Sequence, residues 1–278
     1  MSLGGAKTME NYSVLMTVYK NENPDHFREA IISMLEQTVK TNDFVIVCDG
    51  PLTYELDNII YQFVDDCKNL FNIIRLEENH GVGYASRQGV LHCKNELIAK
   101  MDSDDISIKT RCEKELKYFE NDEDLAIVGS YILEFLNSNN SNTCIRKVPL
   151  ESAEIYKYSK RRSPFNNPTI MFKKSAVVAV GNYSDLRRCE DFELFARLLH
   201  AGYKAANIPE CLLNYRITEF TYDKRNNYSY IKESRKMSRD IGHSSSLDVW
   251  ISCYSQYIIS KLPYKIRRLI YEKLIRNH

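Results

Sequence analysis

No stretch of this 278-residue sequence comes near the roughly 20 consecutive apolar residues that a bilayer-spanning helix requires, so no segment is expected to cross a membrane by itself. An excess of one charge is missing too: 38 Lys and Arg stand against 37 Asp and Glu, a net charge of +1. A nucleic-acid binder would carry a basic surplus, so nucleic acid is not an expected partner. The eight cysteines (Cys48, Cys67, Cys93, Cys112, Cys144, Cys189, Cys211 and Cys253) contain no CxxC pair and sit mostly within apolar runs. They read as small core residues with reduced thiols, which suits a cytoplasmic protein. Met1 to Met9 lacks the apolar stretch of a signal peptide; Met9 reads as the natural start behind an expression scar, and residues 1–9 are left out of the expected fold.

What is present is a core-forming chain, 44% hydrophobic, with a regular alternation of short apolar runs and amphipathic segments. Tyr12 to Val18 is β-rich, and Asn23-Pro24 supplies an N-cap followed by a first-turn proline, so a helix begins there with Phe27, Ala30, Ile31, Met34 and Leu35 on one face. Phe44 to Cys48, Phe71 to Leu76 and Leu97 to Met101 are the next strands, separated by helices over Leu56 to Val64 and Gly83 to His92. Such repetition predicts right-handed βαβ crossovers and a parallel sheet covered on both faces. Beyond Lys109 come a helix to about Asn121 and a strand from Leu125 to Ile132; after the polar run 137–143 the alternation weakens into an α+β half. The expected layout is a catalytic domain over 10–220, split into a nucleotide-binding half (10–132) and an acceptor half (133–220), with a helical extension over 221–278.

Ligands of open parallel sheets bind beyond the carboxyl ends of the strands. Asp102-Ser103-Asp104-Asp105 follows the fourth strand directly, and carboxylates packed so closely need a cation, a proton or open solvent. Oxygen ligands favour Mg²⁺ or Mn²⁺, and a diphosphate-bound ion would fit; the competing reading is an acidic cap on a helix from Ile106 onward. Asp49-Gly50 ends the second strand and is either a turn or, with Thr17 and Tyr19 one strand over, a place for a nucleobase whose imide N–H the carboxylate accepts. Arg87, in the loop and helix opened by Asn79-His80-Gly81, could reach a phosphate, brace the acidic segment or lie idle at the surface. The loop lacks the glycine spacing of a dinucleotide fingerprint. Glu190-Asp191 opens an amphipathic helix, where simple capping is the plain alternative.

Taken together and in order, SVLMTVY, CDG, NHGVGYASRQG, MDSDD, NPTIMF and CEDFELFARLLHAGY resemble the family 2 inverting glycosyltransferases of the GT-A fold, over roughly Tyr12 to Arg216. The resemblance implies a Rossmann-like, mostly parallel α/β sheet and transfer of a sugar from a nucleoside diphosphate, most often UDP, to a saccharide or lipid-linked saccharide. By position, Thr17, Tyr19 and Asp49 would hold the nucleoside. Asp102 and Asp104 would be the DxD pair facing ribose and metal, with Asp105 sharing that work. Asp191 would be the general base with Glu190 beside it, and Asn167-Pro168-Thr169 would line the acceptor side. It also implies a role in cell-surface polysaccharide or O-antigen assembly. Two departures stand out: Cys48 replaces a frequent aspartate, and Tyr215-Arg216-Ile217-Thr218 has no histidine where some relatives supply a metal ligand.

A nucleotide-sugar-forming nucleotidyltransferase is a second reading, although the glycine-rich basic loop it needs after the first strand is replaced by Tyr19 to Asn23; a non-catalytic nucleotide-sugar-binding protein is a third. In the tail, Leu262, Ile266, Leu269, Ile270 and Leu274 share a helical face among Lys261, Lys265, Arg267, Arg268, Lys273 and Arg276. That helix either packs on the domain or lies on an anionic leaflet at the inner face of the plasma membrane.

Overall fold

A computed structural model of the chain describes residues 11–136, 144–187, 189–217 and 228–262, together with Ile266. The first half is built as its periodicity dictates. Strands β1 (Tyr12–Val18), β2 (Asp43–Cys48), β3 (Phe71–Arg75) and β4 (Leu97–Asp102) alternate with helices α1 (Pro24–Leu35), α2 (Tyr54–Asp66) and α3 (Val82–His92). Asn23 caps α1 by accepting from the N–H groups of Asp25 and His26, and Thr53 caps α2 through Leu56. All four strands pair in parallel, in the order β3-β2-β1-β4.

Both faces of this block are covered, which is why its strands are apolar throughout rather than alternating. Val14, Met16 and Val18 pack into one layer with α1 and α2, whereas Leu15 points into the other with Val45, Val47 and Ala85. The strand order reverses between β1 and β4, and register pairs Thr17 with Asp102 at that point. A ligand crevice belongs there.

From Asp102 onward local pattern gives way to long-range pairing. Ile106–Ser107 forms a two-residue strand, β5, and helix α4 (Arg111–Asn121) starts only after Thr110, which makes no side-chain cap bond. The competing reading of the acidic segment as the cap of a helix from Ile106 therefore fails: the segment is a connection pinned by β5, and the helix expected from Lys109 begins at Arg111. Next come β6 (Leu125–Leu136), β7 (Cys144–Arg146), α5 (Ser152–Ser159), a 3₁₀ turn (Asn167–Thr169), β8 (Met171–Lys173), α6 (Lys174–Ala179), α7 (Glu190–His200) and β9 (Lys204–Ile217). Antiparallel β8 joins β4 to β6, long parallel β6 and β9 run side by side, and β5 closes the edge on β9. Because β6 runs on to Leu136, the expected division of halves at 132 falls inside a strand.

Helices α8 (Tyr228–Asp240) and α9 (Ser246–Lys261) follow, the second opened by a reciprocal Ser245–Asp248 capping box. Among the described residues no helix is long and apolar enough to cross a membrane. The basic tail helix expected from Lys261 lies outside the described residues apart from Lys261, Leu262 and Ile266, as do residues 1–9.

Gly83 couples the two halves. A Cβ built there would lie 2.3 Å from the carbonyl oxygen of Ser184 and 2.5 Å from that of Leu186, so α3 rests directly on the loop leading to α7. Alanine for glycine in a helix ordinarily stabilises by up to about 1 kcal/mol. Gly83→Ala should instead destabilise by about 1–3 kcal/mol, because backbone has to move. Urea unfolding measures the sign, and a neutral or stabilised variant would show that the loop yields freely.

Candidate active site

The site is built at the switch point, on the carboxyl ends of β1 and β4. Asp102 is the last residue of β4, and its side chain is 31% exposed. Lys100, two residues earlier on the same face of the strand, is fully buried with Nζ 3.2 Å from Asp102 Oδ1. Asp104 is partly buried; burial, then the charges of Asp102 and Glu22, push its carboxyl up to about 7. Glu22 accepts a 2.6 Å hydrogen bond from the Ser103 hydroxyl, which ties the loop after β1 to the acidic segment. Tyr19, 41% exposed, stands beside both acids: burial, Glu22 and Asp104 together raise its phenol. Thr17 is partly exposed opposite Asp102.

Arg216 occupies the strand where a histidine is missing. Its backbone N–H donates to Asp105 Oδ1 (2.8 Å), its Nε to the Asp104 carbonyl (2.8 Å) and its Nη2 to Glu29 (2.6 Å). Asp105 is sealed from solvent, held well above the carboxylate range by burial and then by Asp104 and Asp102. That placement corrects the expected shared metal duty: Asp105 fastens β9 behind the acidic loop rather than facing a ligand.

Asp49 also has internal work. Its Oδ2 accepts from Asn79 Nδ2 (2.8 Å) and the Gly81 N–H (3.0 Å), and its Oδ1 from the His80 N–H (2.8 Å). The carboxylate thus shapes the 79–81 loop and keeps capacity at Oδ1 for one further donor. Gly50, at φ 85°, is the partner in this turn, since a Cβ there would meet Asn79 N at 2.8 Å. Arg87 does not brace the acidic segment; its Nη1 lies 3.3 Å from Asp185, and the pair is largely exposed.

Glu190 and Asp191 are the first two residues of α7, reached through Cys189 in a left-handed conformation (φ 59°). Glu190 is buried, and burial followed by the Asp191 charge pushes it up to about 8. Asp191 is partly exposed. Its Oδ1 accepts the Phe192 N–H at 2.7 Å, while Oδ2 makes no hydrogen bond among the described residues and is not sealed. Burial and then Asp102 raise its carboxyl against that hydrogen bond, so the carboxylates of α7 and β4 feel one another. Tyr183 completes the cluster: its hydroxyl is buried without a partner and faces the fields of Glu190, Asp191 and Asp102.

The 167–169 turn divides. Thr169 is fully buried, accepting the Ser130 N–H and donating to the Asn166 carbonyl (2.8 Å), and the Pro168 carbonyl accepts from Arg111 at 2.8 Å. These two hold β6, β8 and α4 together and do not face an acceptor. Asn167 alone keeps an unused side-chain oxygen.

A divalent ion fits the donor set present. Asp102 and Asp104 repel one another and remain accessible, and no group of three His, Cys, Asp or Glu among the described residues is arranged as a closed metal site. Two carboxylates with positions left for phosphate oxygens is the arrangement Mg²⁺ and Mn²⁺ use with nucleotides. Glu22, Lys100, Tyr183 and Arg216 were not singled out as site residues by sequence pattern. Lys100 did leave a signal, as a cation inside an otherwise apolar strand.

Comparisons with known proteins agree with this construction. The family described as Glycosyl transferase family 2 matches residues 13–183. A UDP-Gal:alpha-D-GlcNAc-diphosphoundecaprenol beta-1,3-galactosyltransferase of Escherichia coli is 33% identical over 96% of this chain and 97% of its own. The amylovoran biosynthesis glycosyltransferase AmsE of Erwinia amylovora is 26% identical over 94% and 98%. Among solved structures, a mannosyltransferase of Pyrobaculum calidifontis in complex with GDP-Man and Mn²⁺ superposes with a TM-score of 0.62 over 96% of this chain and 70% of its own, at 13% identity, which shows a shared GT-A fold. With a family match over more than half its length and a full-length relative at 33% identity, the chain belongs to glycosyl transferase family 2 and is a glycosyltransferase.

Proposed function

We propose that this glycosyltransferase moves a sugar from a UDP-sugar to a saccharide acceptor with inversion, on the cytoplasmic side, in the assembly of a cell-surface polysaccharide or O-antigen. The observation that carries the reading is Asp191 Oδ2, which makes no hydrogen bond among the described residues and is held in the same electrostatic neighbourhood as Asp102 at the switch point. The name of the Escherichia coli galactosyltransferase supports UDP and a lipid-diphosphate saccharide as donor and acceptor chemistry. The eight unbridged cysteines suit a reducing compartment.

In this reading Thr17, Tyr19 and the remaining capacity of Asp49 receive the uridine. Asp102 and Asp104 would hold Mn²⁺ or Mg²⁺, whose chemistry there is to neutralise charge on the departing diphosphate. Asp191 accepts the proton of the acceptor hydroxyl as its oxygen bonds to the anomeric carbon and the bond from that carbon to the diphosphate oxygen breaks. Arg87, on α3, would supply a cation for the diphosphate on leaving its exposed partner Asp185. Glu190, buried and carrying a raised pKa, acts as a neutral neighbour that spares Asp191 a second adjacent negative charge.

A positioned base contributes about 10²–10⁴-fold, so Asp191→Asn should lose kcat on that scale while calorimetry finds UDP-sugar affinity little changed; full activity in this variant would remove Asp191 from the mechanism. Asp104→Ala should weaken Mn²⁺-dependent UDP binding by roughly ten- to hundredfold, the value of one charged ligand contact, and leave metal-free UDP binding nearly alone. A raised carboxyl takes up its proton at higher pH than a free one. As pH falls the base is therefore lost early, and the acid limb of kcat should lie above the usual carboxylate range of about 4. An acid limb at ordinary carboxylate values would place the base elsewhere. Pyrophosphate release in place of nucleoside diphosphate would mark a nucleotidyltransferase instead.

A further inference from the structure

A cleft of about 950 Å³ opens between residues 147–162 and one face of α9, and none of Asp102, Asp104, Glu190 or Asp191 lines it. Its charge is one-sided. Lys147, Lys157, Lys160, Arg161 and Arg162 face two acids, Glu154 and Asp248, and Asp248 is already held by Arg161 at 2.7 Å. Lys160 sits over the Tyr156 ring, whereas Lys147, Lys157 and Arg162 have no ion-pair partner among the described residues. The rest of the wall includes Tyr131, Val148, Leu150, Tyr158 and Ile251. Several cations beside apolar walls match an amphiphile with a compact, multiply charged head, and phosphate is the anion that engages several cations at once.

Two observations narrow the occupant. Leu247, Trp250, Tyr254, Tyr257 and Ile258 recur at three- and four-residue spacing along α9, and each is 44–62% exposed. This strip adjoins the cleft-lining side at Ile251, and Trp and Tyr beside aliphatic residues are favoured at a membrane–water interface. The cleft also backs onto the catalytic helix. Ser252, in its wall, accepts a 2.9 Å hydrogen bond from Arg235 Nε, and the Arg235 guanidinium lies 3.8 Å over the ring of Phe192, the residue after Asp191.

We propose that the cleft binds the phosphates of a lipid-borne acceptor, a saccharide carried on a long-chain isoprenoid diphosphate, while the aromatic strip of α9 rests in the bilayer interface. The proposal rests on the acceptor chemistry proposed above and adds the place where that acceptor is held. Farnesyl diphosphate, inorganic pyrophosphate and farnesol are the probes, titrated calorimetrically into the full chain with the donor site saturated by UDP. Farnesyl diphosphate should bind at least tenfold more tightly than either fragment. Lys157→Glu and Arg162→Glu should each weaken it by roughly ten- to hundredfold, with thermal melting to check folding and Lys147→Glu replacing a variant that does not fold. Binding only when UDP is absent, equal affinity for pyrophosphate, or unchanged affinity in the variants would each overturn the proposal. UDP-sugar hydrolysis by the wild-type chain is read separately: hydrolysis without farnesyl diphosphate binding removes the cleft alone, and no hydrolysis with any UDP-sugar removes the transferase chemistry it depends on.

Discussion

Carboxylates crowded into low-dielectric surroundings are the constraint around which this molecule is organised. Asp102, Asp104, Asp105, Glu190 and Asp191 converge from β4 and α7, each of the last four raised first of all by burial. An isolated buried carboxylate costs several kcal/mol. The protein offsets this with Lys100 against Asp102, backbone N–H groups against Asp105 and Asp191, and Arg235 on the far side of Phe192. Arg235 is itself lowered to about 10, chiefly by burial, with Asp191 among the charges that support it. The compensation is partial. In the proposed reading a donor and its cation would gain from the charge left over, which full neutralisation by the protein would remove.

Rigid supports hold the cluster in place. Arg111 is fully buried and donates to the Lys100 carbonyl (2.7 Å) and the Pro168 carbonyl (2.8 Å) while pairing with Glu115 (3.2 Å). One guanidinium thus joins the strand bearing Lys100 and Asp102 to the 167–169 turn. Burial lifts Glu115 to about 7 even against this partner, so the clamp is retained at a cost in desolvation. On the opposite layer, Gly83 lets α3 rest on the backbone of residues 184–186 and so sets where α7 begins. The α7 and β4 carboxylates are therefore positioned by separate contacts on the two sides of the sheet.

The sequence was legible wherever local periodicity and burial agree. The β1–β4 block could be read because both sheet faces are covered and its helices carry one apolar stripe each. The strand at Ile106-Ser107 was not legible because β9, more than 100 residues away, recruits it, and no local signal announces that pairing. The clustering of Asp102, Asp104 and Asp191 came from the resemblance of ordered motifs rather than from spacing. The duties of Asp49 and Asp105, and the bond that ties Thr169 to β6, were hidden because the polar groups that claim them lie 30 or more residues away in the chain. The cleft beside α9 was equally hidden, since its two sides come from segments about 90 residues apart.

The family match ends at residue 183, before Asp191, α8 and α9, whereas full-length relatives align over almost the whole chain. The matched block contains every residue assigned to the nucleoside, ribose and metal. What lies beyond it is Asp191, the proposed base, together with helices α8 and α9. Since Phe192 carries Arg235 and Arg235 bonds to Ser252, the environment of the base is set partly by the C-terminal helices. Those helices are therefore packed into the neighbourhood of Asp191 rather than standing apart from it. With Asp191 as the proposed base, the proposed donor residues fall in the β1–β4 switch point that the family model covers, and the proposed base is set among segments beyond residue 183.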